Sequence, residues 1–259
     1  MTSKVRLCTK YTYMLGTIVI EKYKKTERKD IQKALEILIV DNSQDWATAG
    51  LYCYWDYNSR EILYIGLAVD LVERYRQHNG LIYCNKKNCK YNEIEKYFEN
   101  NEYIGFSIVL QSALSQPINK RQRKKFNKSF NETELIFILG EQGYGEIKRV
   151  EGILLEAFRQ KYGRFPLWNK MGGSVIGQKS FKQINFGLLK LLVTNEANKY
   201  VSRVSLRELA DNPTFCRYEA YLHSIRISIF PSTETIHLQK CTFGIYTFDE
   251  ICQTDYFKK

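Results

Sequence analysis

The pattern of hydrophobic and polar residues changes twice along the chain. Residues 1–45 contain one amphipathic helical pattern, at 30–40, which predicts a helical extension packed on the next unit. From residue 50 the pattern becomes aromatic and β-rich, with runs at 51–55 and 62–65 separated by a polar turn. Such runs predict a β-hairpin.

Helical and extended patterns then alternate up to about residue 175. Asp70 is a good N-cap for a helix ending near His78, and a second helix is predicted at 91–100. A third strand is predicted at 106–110, and a strong helix at 147–162. Together these elements predict an α+β fold with a small antiparallel sheet flanked by helices over residues 46–175.

A third region follows the turn residues Gly172, Gly173 and Gly177, which predict a domain boundary. Residues 180–259 have the pattern of three helices and a β-hairpin, the parts of a winged helix-turn-helix domain. Ser205 is predicted to cap the second of these helices. The predicted helices lie at 184–192, 204–209 and 217–230, and the predicted strands at 235–240 and 244–248.

The charge favours a polyanionic partner. The 259 residues have a formal net charge of +11, as is common in proteins that bind nucleic acid or an anionic membrane surface. No apolar stretch approaches the length of a membrane span, and the first residues do not have the pattern of a short apolar core followed by a small-residue cleavage site. Seven cysteines at irregular spacings favour a reducing compartment. We therefore expect a cytoplasmic protein without a membrane partner, and free thiols in place of a zinc site at Cys84 and Cys89.

One segment is strongly basic. Between Tyr103 and Asn131 there is no acidic residue, and the predicted insertion at 112–134 includes a dense run of cations. A DNA-backbone contact and a solvated loop are equally compatible with such a run. The cations are Lys120, Arg121, Arg123, Lys124, Lys125 and Lys128.

Two tyrosine triplets provide the first candidate chemistry. Gly50-Leu51-Tyr52 is followed, after eleven residues, by Tyr64-Ile65-Gly66. Arg74 and His78 come next, one helical turn apart, so that both project to the same side. In order and spacing these residues resemble the GIY-YIG endonuclease family, in which the arginine has this offset and several members have the histidine.

The family also has a metal-binding glutamate on a later helix, and two residues compete for that role. Glu151 lies on the apolar face of the 147–162 helix, where a charge is costly unless a cation neutralises it. Glu156 lies on the polar face, as a solvated residue does. Pro166-Leu167-Trp168-Asn169 resembles the ending of restriction-type members, and its distance would suit Glu156 better. The burial argument favours Glu151, with Glu156 as the alternative.

The resemblance implies a chemistry of phosphodiester hydrolysis. Tyr52 would help to deprotonate the attacking water, while Arg74 and one Mg²⁺ or Mn²⁺ on Glu151 would stabilise the developing charge. Tyr64 and His78 would complete the hydrogen-bond network, and Asn169 would position the site. Because tyrosine is a weak base, we expect nearby cations to lower the pKa of Tyr52.

The C-terminal pattern resembles the winged-helix output domain of bacterial response regulators. By that resemblance, the exposed side of the third helix would enter the major groove of DNA, and Lys240 of the hairpin would contact phosphate. Glu219 is expected among the exposed positions. A dimerisation or protein-docking module is the alternative. The candidate groove-facing residues are Arg217, Tyr218, Tyr221, Ser224 and Arg226.

A sequence-specific DNA endonuclease of restriction type is the function that this combination favours. Only four prolines and no long flexible tether are present, which disfavours the extended layout of homing endonucleases. A structure-specific repair nuclease and a non-catalytic DNA-binding regulator remain alternatives. Because one active site cuts one strand, cleavage of double-stranded DNA requires a homodimer or two successive events.

Overall fold

A four-stranded antiparallel sheet forms the centre of the protein. The computed structural model describes residues 15–41, 46–85, 89–112, 116–117, 133–194, 196 and 198–229. Within them the strand order is β1-β4-β2-β3. The strands are β1 Leu15–Lys24, β2 Gly50–Asp56, β3 Ile62–Ala68 and β4 Tyr103–Gln111.

Eight α-helices accompany the sheet in the described part of the chain. The predicted caps are confirmed, since Asp70 accepts a hydrogen bond from the backbone amide of Glu73 and Ser205 accepts one from that of Glu208. The helices are α1 Arg28–Leu35, α2 Leu71–His78, α3 Tyr91–Phe98, α4 Thr133–Tyr162, α5 Val175–Lys179, α6 Phe186–Leu191, α7 Leu206–Asp211 and α8 Pro213–Ile229.

Helices cover both faces of the sheet because adjacent strand residues alternate between faces. Tyr52 and Tyr54 of β2 belong to an apolar cluster that includes residues of α1, α2 and α7. Leu51, Cys53 and Trp55 belong to the opposite cluster, with residues of α4 and α6. The predicted fold class, α+β with a small antiparallel sheet flanked by helices, is confirmed.

The N-terminal extension differs from the prediction, because its first described element is a strand. β1 pairs antiparallel with β4, from Leu15 opposite Gln111 to Lys24 opposite Tyr103. Its run Thr17-Ile18-Val19-Ile20 is rich in β-branched residues, which favour strands. The helical pattern at 30–40 is present as α1 and a following π-helical turn, Glu36–Asp41.

The C-terminal helices share the core of the sheet. Leu206 and Leu209 of α7 and Ala220 of α8 lie in the same apolar cluster as Tyr52. Val201 forms a parallel bridge with Ile18 of β1. The predicted hairpin and Lys240 lie outside the described residues, and the winged-helix fold and the predicted domain boundary stay predictions.

No described helix combines the length and the apolar composition that crossing a membrane requires.

Candidate active site

Tyr52 is the centre of a buried polar cluster between β2, β3 and α2. Its hydroxyl oxygen lies 2.8 Å from Nε2 of His78 and accepts a hydrogen bond of 3.1 Å from Nε of Arg74. Tyr64 packs beside it, with ring centroids 5.7 Å apart. The structure therefore brings together the two tyrosines, the arginine and the histidine that the sequence selected.

The protonation of His78 follows from its second partner. The backbone amide of Lys90 donates to Nδ1 at 2.7 Å, so that nitrogen carries no proton. Burial, together with the charges of Arg74 and Lys90, lowers the pKa of His78 well below its usual value, and the ring is neutral near pH 7. Its one proton lies on Nε2, which donates to Tyr52.

Tyr52 itself is a neutral phenol, contrary to the sequence-based expectation. Burial raises its pKa well above the usual value, and Tyr64 raises it further. Arg74 opposes this shift but does not outweigh it, and neutral His78 contributes no charge. The oxygen of Tyr52 accepts from both Arg74 and His78, which leaves its own proton directed away from both.

The glycines of the two triplets are required by close contacts. A Cβ on Gly66 would lie 2.7 Å from the hydroxyl of Tyr52 and 2.7 Å from the ring of Tyr64. A Cβ on Gly50 would lie 2.2 Å from the backbone oxygen of Val109. Gly66 lies opposite Tyr52 in the β2–β3 pair, so the Tyr52 ring passes directly over this strand. Any larger residue at 66 would displace the candidate nucleophile activator.

Arg74 is oriented by its own helix. Its Nη1 donates to Oε1 of Gln77 at 2.9 Å, while Nε is occupied by Tyr52. Within the described part of the chain it forms no ion pair, and its Nη2 forms no hydrogen bond. A guanidinium with an unused donor beside a phenol is suited to bind a phosphate oxygen.

Lys90 belongs to the same cluster and was not identified from the sequence. Its side chain is only 11% exposed, and its ammonium lies 5.2 Å from the centroid of the Tyr64 ring. The ammonium also approaches Glu93 at 3.4 Å. Lys90 is distant from both triplets in a loop without a motif, so no local signal indicated it. It adds a second cation to the candidate site.

The two candidate glutamates have opposite surroundings. Glu156 is not the solvated residue that the sequence predicted: it is buried beneath Arg159 and Gln160, which donate to it at 2.8 Å and 2.6 Å. Those bonds to Arg159 lower its pKa. Its charge is thus neutralised within its own helix.

Glu151 lacks such compensation. Burial raises its pKa to about 7, and although the nearby amide of Leu67 opposes this shift, no ion pair to its carboxylate is formed in the described residues. A Cβ on Gly173 would lie 3.1 Å from its Oε2, so the chain passes closely by. Burying a carboxylate without a neighbouring cation is unfavourable, so a bound cation would stabilise the charged form of Glu151.

Tyr52 and Glu151 meet at the edge strand of the sheet. The Tyr52 hydroxyl lies against Gly66, and the amide of the next residue, Leu67, is near enough to the Glu151 carboxylate to lower its pKa. Adjacent Cα atoms are about 3.8 Å apart. The two side chains come from elements on opposite faces of the sheet, yet they lie beside neighbouring residues of β3.

Asn169 is fixed at the residue before this point. Its side-chain oxygen accepts from the amide of Ile65 at 2.9 Å, and its Nδ2 donates to the carbonyl of Ile65 at 2.7 Å. Trp168 adds a backbone bond to Leu63 at 2.9 Å. The segment therefore pairs with the outer side of β3 and holds the strand in place.

The described residues offer a divalent cation one carboxylate, Glu151, and no cluster of protein ligands. No group of three or more His, Cys, Asp or Glu residues that could hold a metal exists in the described ranges. Mg²⁺ is commonly held by one or two carboxylates together with waters and substrate phosphates. Glu151 matches that arrangement as a single protein ligand.

The residues that the sequence predicted to contact DNA differ in their exposure. Lys120 to Lys125 and Lys240 lie outside the described residues. Arg217, Tyr221 and Ser224 are exposed on α8, and Tyr218 is half-buried. Placing Arg226 at a DNA surface was wrong. It is 1% exposed and binds Glu219, which is itself buried, at 2.6 Å.

No family model, no curated protein and no solved structure matches this chain.

Proposed function

We propose that this chain is a DNA endonuclease of the GIY-YIG type that hydrolyses phosphodiester bonds with one divalent metal, in the manner of a restriction enzyme. The convergence of Tyr52 and Glu151 on Gly66 and Leu67 of the edge strand is the observation on which the proposal depends. Tyr52 is a group that can transfer a proton, and Glu151 is a carboxylate without an ion-pair partner in the described residues. Arg74 donates a hydrogen bond to Tyr52. Phosphoryl transfer needs these three types of group.

Tyr52 is the proposed proton acceptor for the attacking water. Two N–H donors, from Arg74 and His78, point at its oxygen and stabilise its phenolate form. Because the resting pKa is high, only a small fraction is ionised near neutral pH. We therefore expect the cleavage rate to rise with pH above 7.

Arg74 and Glu151 are proposed to act on the charge of the phosphate. Arg74 retains Nη2 for a phosphoryl oxygen while Nε holds Tyr52. Glu151 would hold Mg²⁺ or Mn²⁺, which when bound supplies Lewis-acid stabilisation of phosphate charge. Asn169 acts indirectly, because both Oδ1 and Nδ2 of its side-chain amide form hydrogen bonds with the backbone of Ile65 in β3.

Double-stranded DNA is the proposed substrate. The net charge of +11 favours a polyanion. The ending Pro166-Leu167-Trp168-Asn169, with its contacts to β3, supports the restriction-type assignment over the other members of the family.

The test is incubation of the protein with unmethylated phage DNA and Mg²⁺, with fragments resolved and their ends mapped. Glu151→Ala should lose cleavage, whereas Glu156→Ala is the matched control, being one carboxylate removed from the same helix. We expect discrete fragments from the wild type and from Glu156→Ala. Full activity in Glu151→Ala would end the assignment of the metal ligand. Absence of cleavage by the wild type would favour a DNA-binding regulator.

A further inference from the structure

A long segment beside the candidate site has no acidic residue. From Ala157 to Asn195 there is no Asp or Glu, although Glu156 and Glu196 bound the segment. All of its lysines and arginines are exposed. Five of them, Lys161, Lys170, Lys179, Lys182 and Lys190, form no ion pair in the described ranges, whereas Arg159 and Arg164 do. The seven cations are Arg159, Lys161, Arg164, Lys170, Lys179, Lys182 and Lys190.

Four large apolar side chains project from the middle of this cationic segment. They lie within ten residues and are 62% to 79% exposed. Neighbouring hydrophobic residues of the chain are buried in the core, as Trp168 is. Exposed apolar groups in a cluster usually mark an interaction site. The four residues, called the apolar patch below, are Leu167, Met171, Val175 and Ile176.

The local structure fixes the apolar patch rigidly. Nε2 of Gln178 donates to the carbonyls of Gly172 and Gly173 at 3.0 Å and 3.3 Å, which folds α5 back on the preceding loop. Gly177 packs so closely on α4 that a Cβ there would lie 2.8 Å from the Cα of Gly152. The exposed side chains are therefore held by a small rigid unit.

The apolar patch is also adjacent to the candidate active site. Asn169, which binds β3 beside Gly66, lies between Leu167 and Met171 in the sequence. Gly173, which approaches Oε2 of Glu151, lies between Met171 and Val175. A substrate phosphate held near Glu151 through a bound cation would have its neighbouring nucleotides near the apolar patch.

We propose that the apolar patch enters the minor groove of duplex DNA next to the cleaved phosphate and separates one base step there. Apolar side chains inserted between base pairs kink DNA in this way, while neighbouring cations bind the flanking phosphates. Lys170 and Lys179 are the cations next to the apolar patch in the sequence. This inference rests on the proposed function, and it specifies how that site engages its substrate.

Charge selects DNA over a second copy of the chain. A symmetric dimer through this face would place two acid-free, cationic segments against each other. Like charges brought together across an interface are unfavourable. DNA, in contrast, provides one negative charge per ~1.7 Å of helix axis.

The experiment uses the uncleaving variant Glu151→Gln and duplexes of about 30 base pairs spanning the cut site mapped with phage DNA, each with 2-aminopurine at one step. If no cut site is found, mixed-sequence duplexes replace them. Binding is measured by anisotropy and unstacking by 2-aminopurine fluorescence. We expect increased fluorescence at one step beside the cut. Adding Met171→Ser, Val175→Ser and Ile176→Ser should remove that increase and weaken binding roughly fivefold to tenfold.

Two matched controls separate the contributions. Ile184→Ser changes an isoleucine outside the apolar patch that is 80% exposed, against 69% for Ile176, and should leave fluorescence and binding unchanged. Lys170→Gln with Lys179→Gln should retain unstacking but reduce the slope of log affinity against log salt by about 1.8. Thermal melting checks that the exposed substitutions leave the fold intact.

The outcomes distinguish this inference from the proposed function. Wild-type cleavage without a fluorescence increase overturns the inference alone. Unstacking without any cleavage overturns the proposed nuclease activity. Absence of DNA binding overturns both. A wild-type dimer in sedimentation that becomes a monomer in the triple-serine variant, with unchanged fluorescence, would show instead that the apolar patch joins two copies.

Discussion

Two buried clusters of this protein each combine a histidine with an arginine, and they differ in how their charges are compensated. At the start of β1, Nη1 of Arg226 binds Glu219 at 2.6 Å and its Nε donates to a backbone carbonyl. His223 contacts Thr17 through Nδ1 and the carbonyl of Gln111 through Nε2. At the edge of β3, Arg74 and Glu151 are separate and neither has an ion-pair partner within the described ranges.

Both histidines are neutral, so burial alone does not distinguish the clusters. Burial lowers the pKa of His223 to about 3 and that of His78 well below its usual value. The difference lies in the second nitrogen. His223 directs it to a backbone carbonyl, whereas His78 directs it to the hydroxyl of Tyr52. In the first cluster, called the paired cluster below, Glu219 neutralises Arg226, although Nη2 of Arg226 has no hydrogen-bond partner among the described residues. In the second cluster the charges of Arg74 and Glu151 are available for a substrate.

The largest loss of stability is expected from a substitution that removes the ion pair of the paired cluster, between Arg226 and Glu219. Arg226→Ala leaves buried Glu219 without its cation, and we expect it to lower the free energy of unfolding by about 3–5 kcal/mol. Arg74→Ala leaves no buried carboxylate, so its cost should be under about 1 kcal/mol. Urea denaturation of both variants measures this. Equal losses would mean that Arg74 is a structural residue like Arg226.

A smaller effect tests the uncompensated carboxylate. The pKa of Glu151 is raised from 4.5 to about 7, so the folded state binds its proton more tightly than the unfolded state. The destabilisation that the ionised Glu151 causes is therefore absent below pH 4.5 and fully present above pH 7. Glu151→Gln should therefore stabilise the protein by about 1–3 kcal/mol at pH 8, and by almost nothing at pH 4.5.

Mg²⁺ provides a control that does not depend on cleavage. It should raise the melting temperature of the wild type at pH 8 and leave that of Glu151→Gln unchanged, because ligands stabilise only the state that binds them. The same stabilisation in both proteins would place the metal elsewhere.

The smallest effect compares two glycines with positive φ. Gly173 has φ +66° and Gly163 has φ +72°, so alanine at either should cost about 1 kcal/mol. A Cβ at 163 would meet nothing within 4 Å, whereas at 173 it would lie 3.1 Å from Oε2 of Glu151. Only Gly173→Ala should weaken the stabilisation by Mg²⁺. An equal loss in both variants would exclude close coupling of that loop to Glu151.

Local patterns in the sequence predicted those structural features that depend on residues near one another in the chain. The hairpin follows from strand patterning around a polar turn, and the Asp70 cap from its position before a helix. The placement of Glu151 on an apolar helix face follows from helical periodicity. Each signal lies within a few residues of the feature that it predicts.

Features that depend on distant contacts were missed. β1 is stabilised by pairing with β4, some ninety residues later. Arg226 is buried because Glu219 and Thr17 face it, and helical periodicity alone cannot show that. Lys90 lies in the site only because the fold brings its loop beside His78 and Tyr64. The raised pKa of Tyr52 depends on burial by several elements, so counting nearby cations gave the wrong direction.

The central claim is that Tyr52 and Glu151 act together in one active site. Its most direct test is a double-mutant cycle on single-turnover cleavage of phage DNA with Mg²⁺. Tyr52→Phe and Glu151→Gln should each slow cleavage by about 10²–10³-fold. Groups that act as a unit are strongly non-additive. We predict that the double variant is no slower than the slower single variant. A double variant slowed by the product of the two effects would contradict the account, because Tyr52 and Glu151 would then act independently.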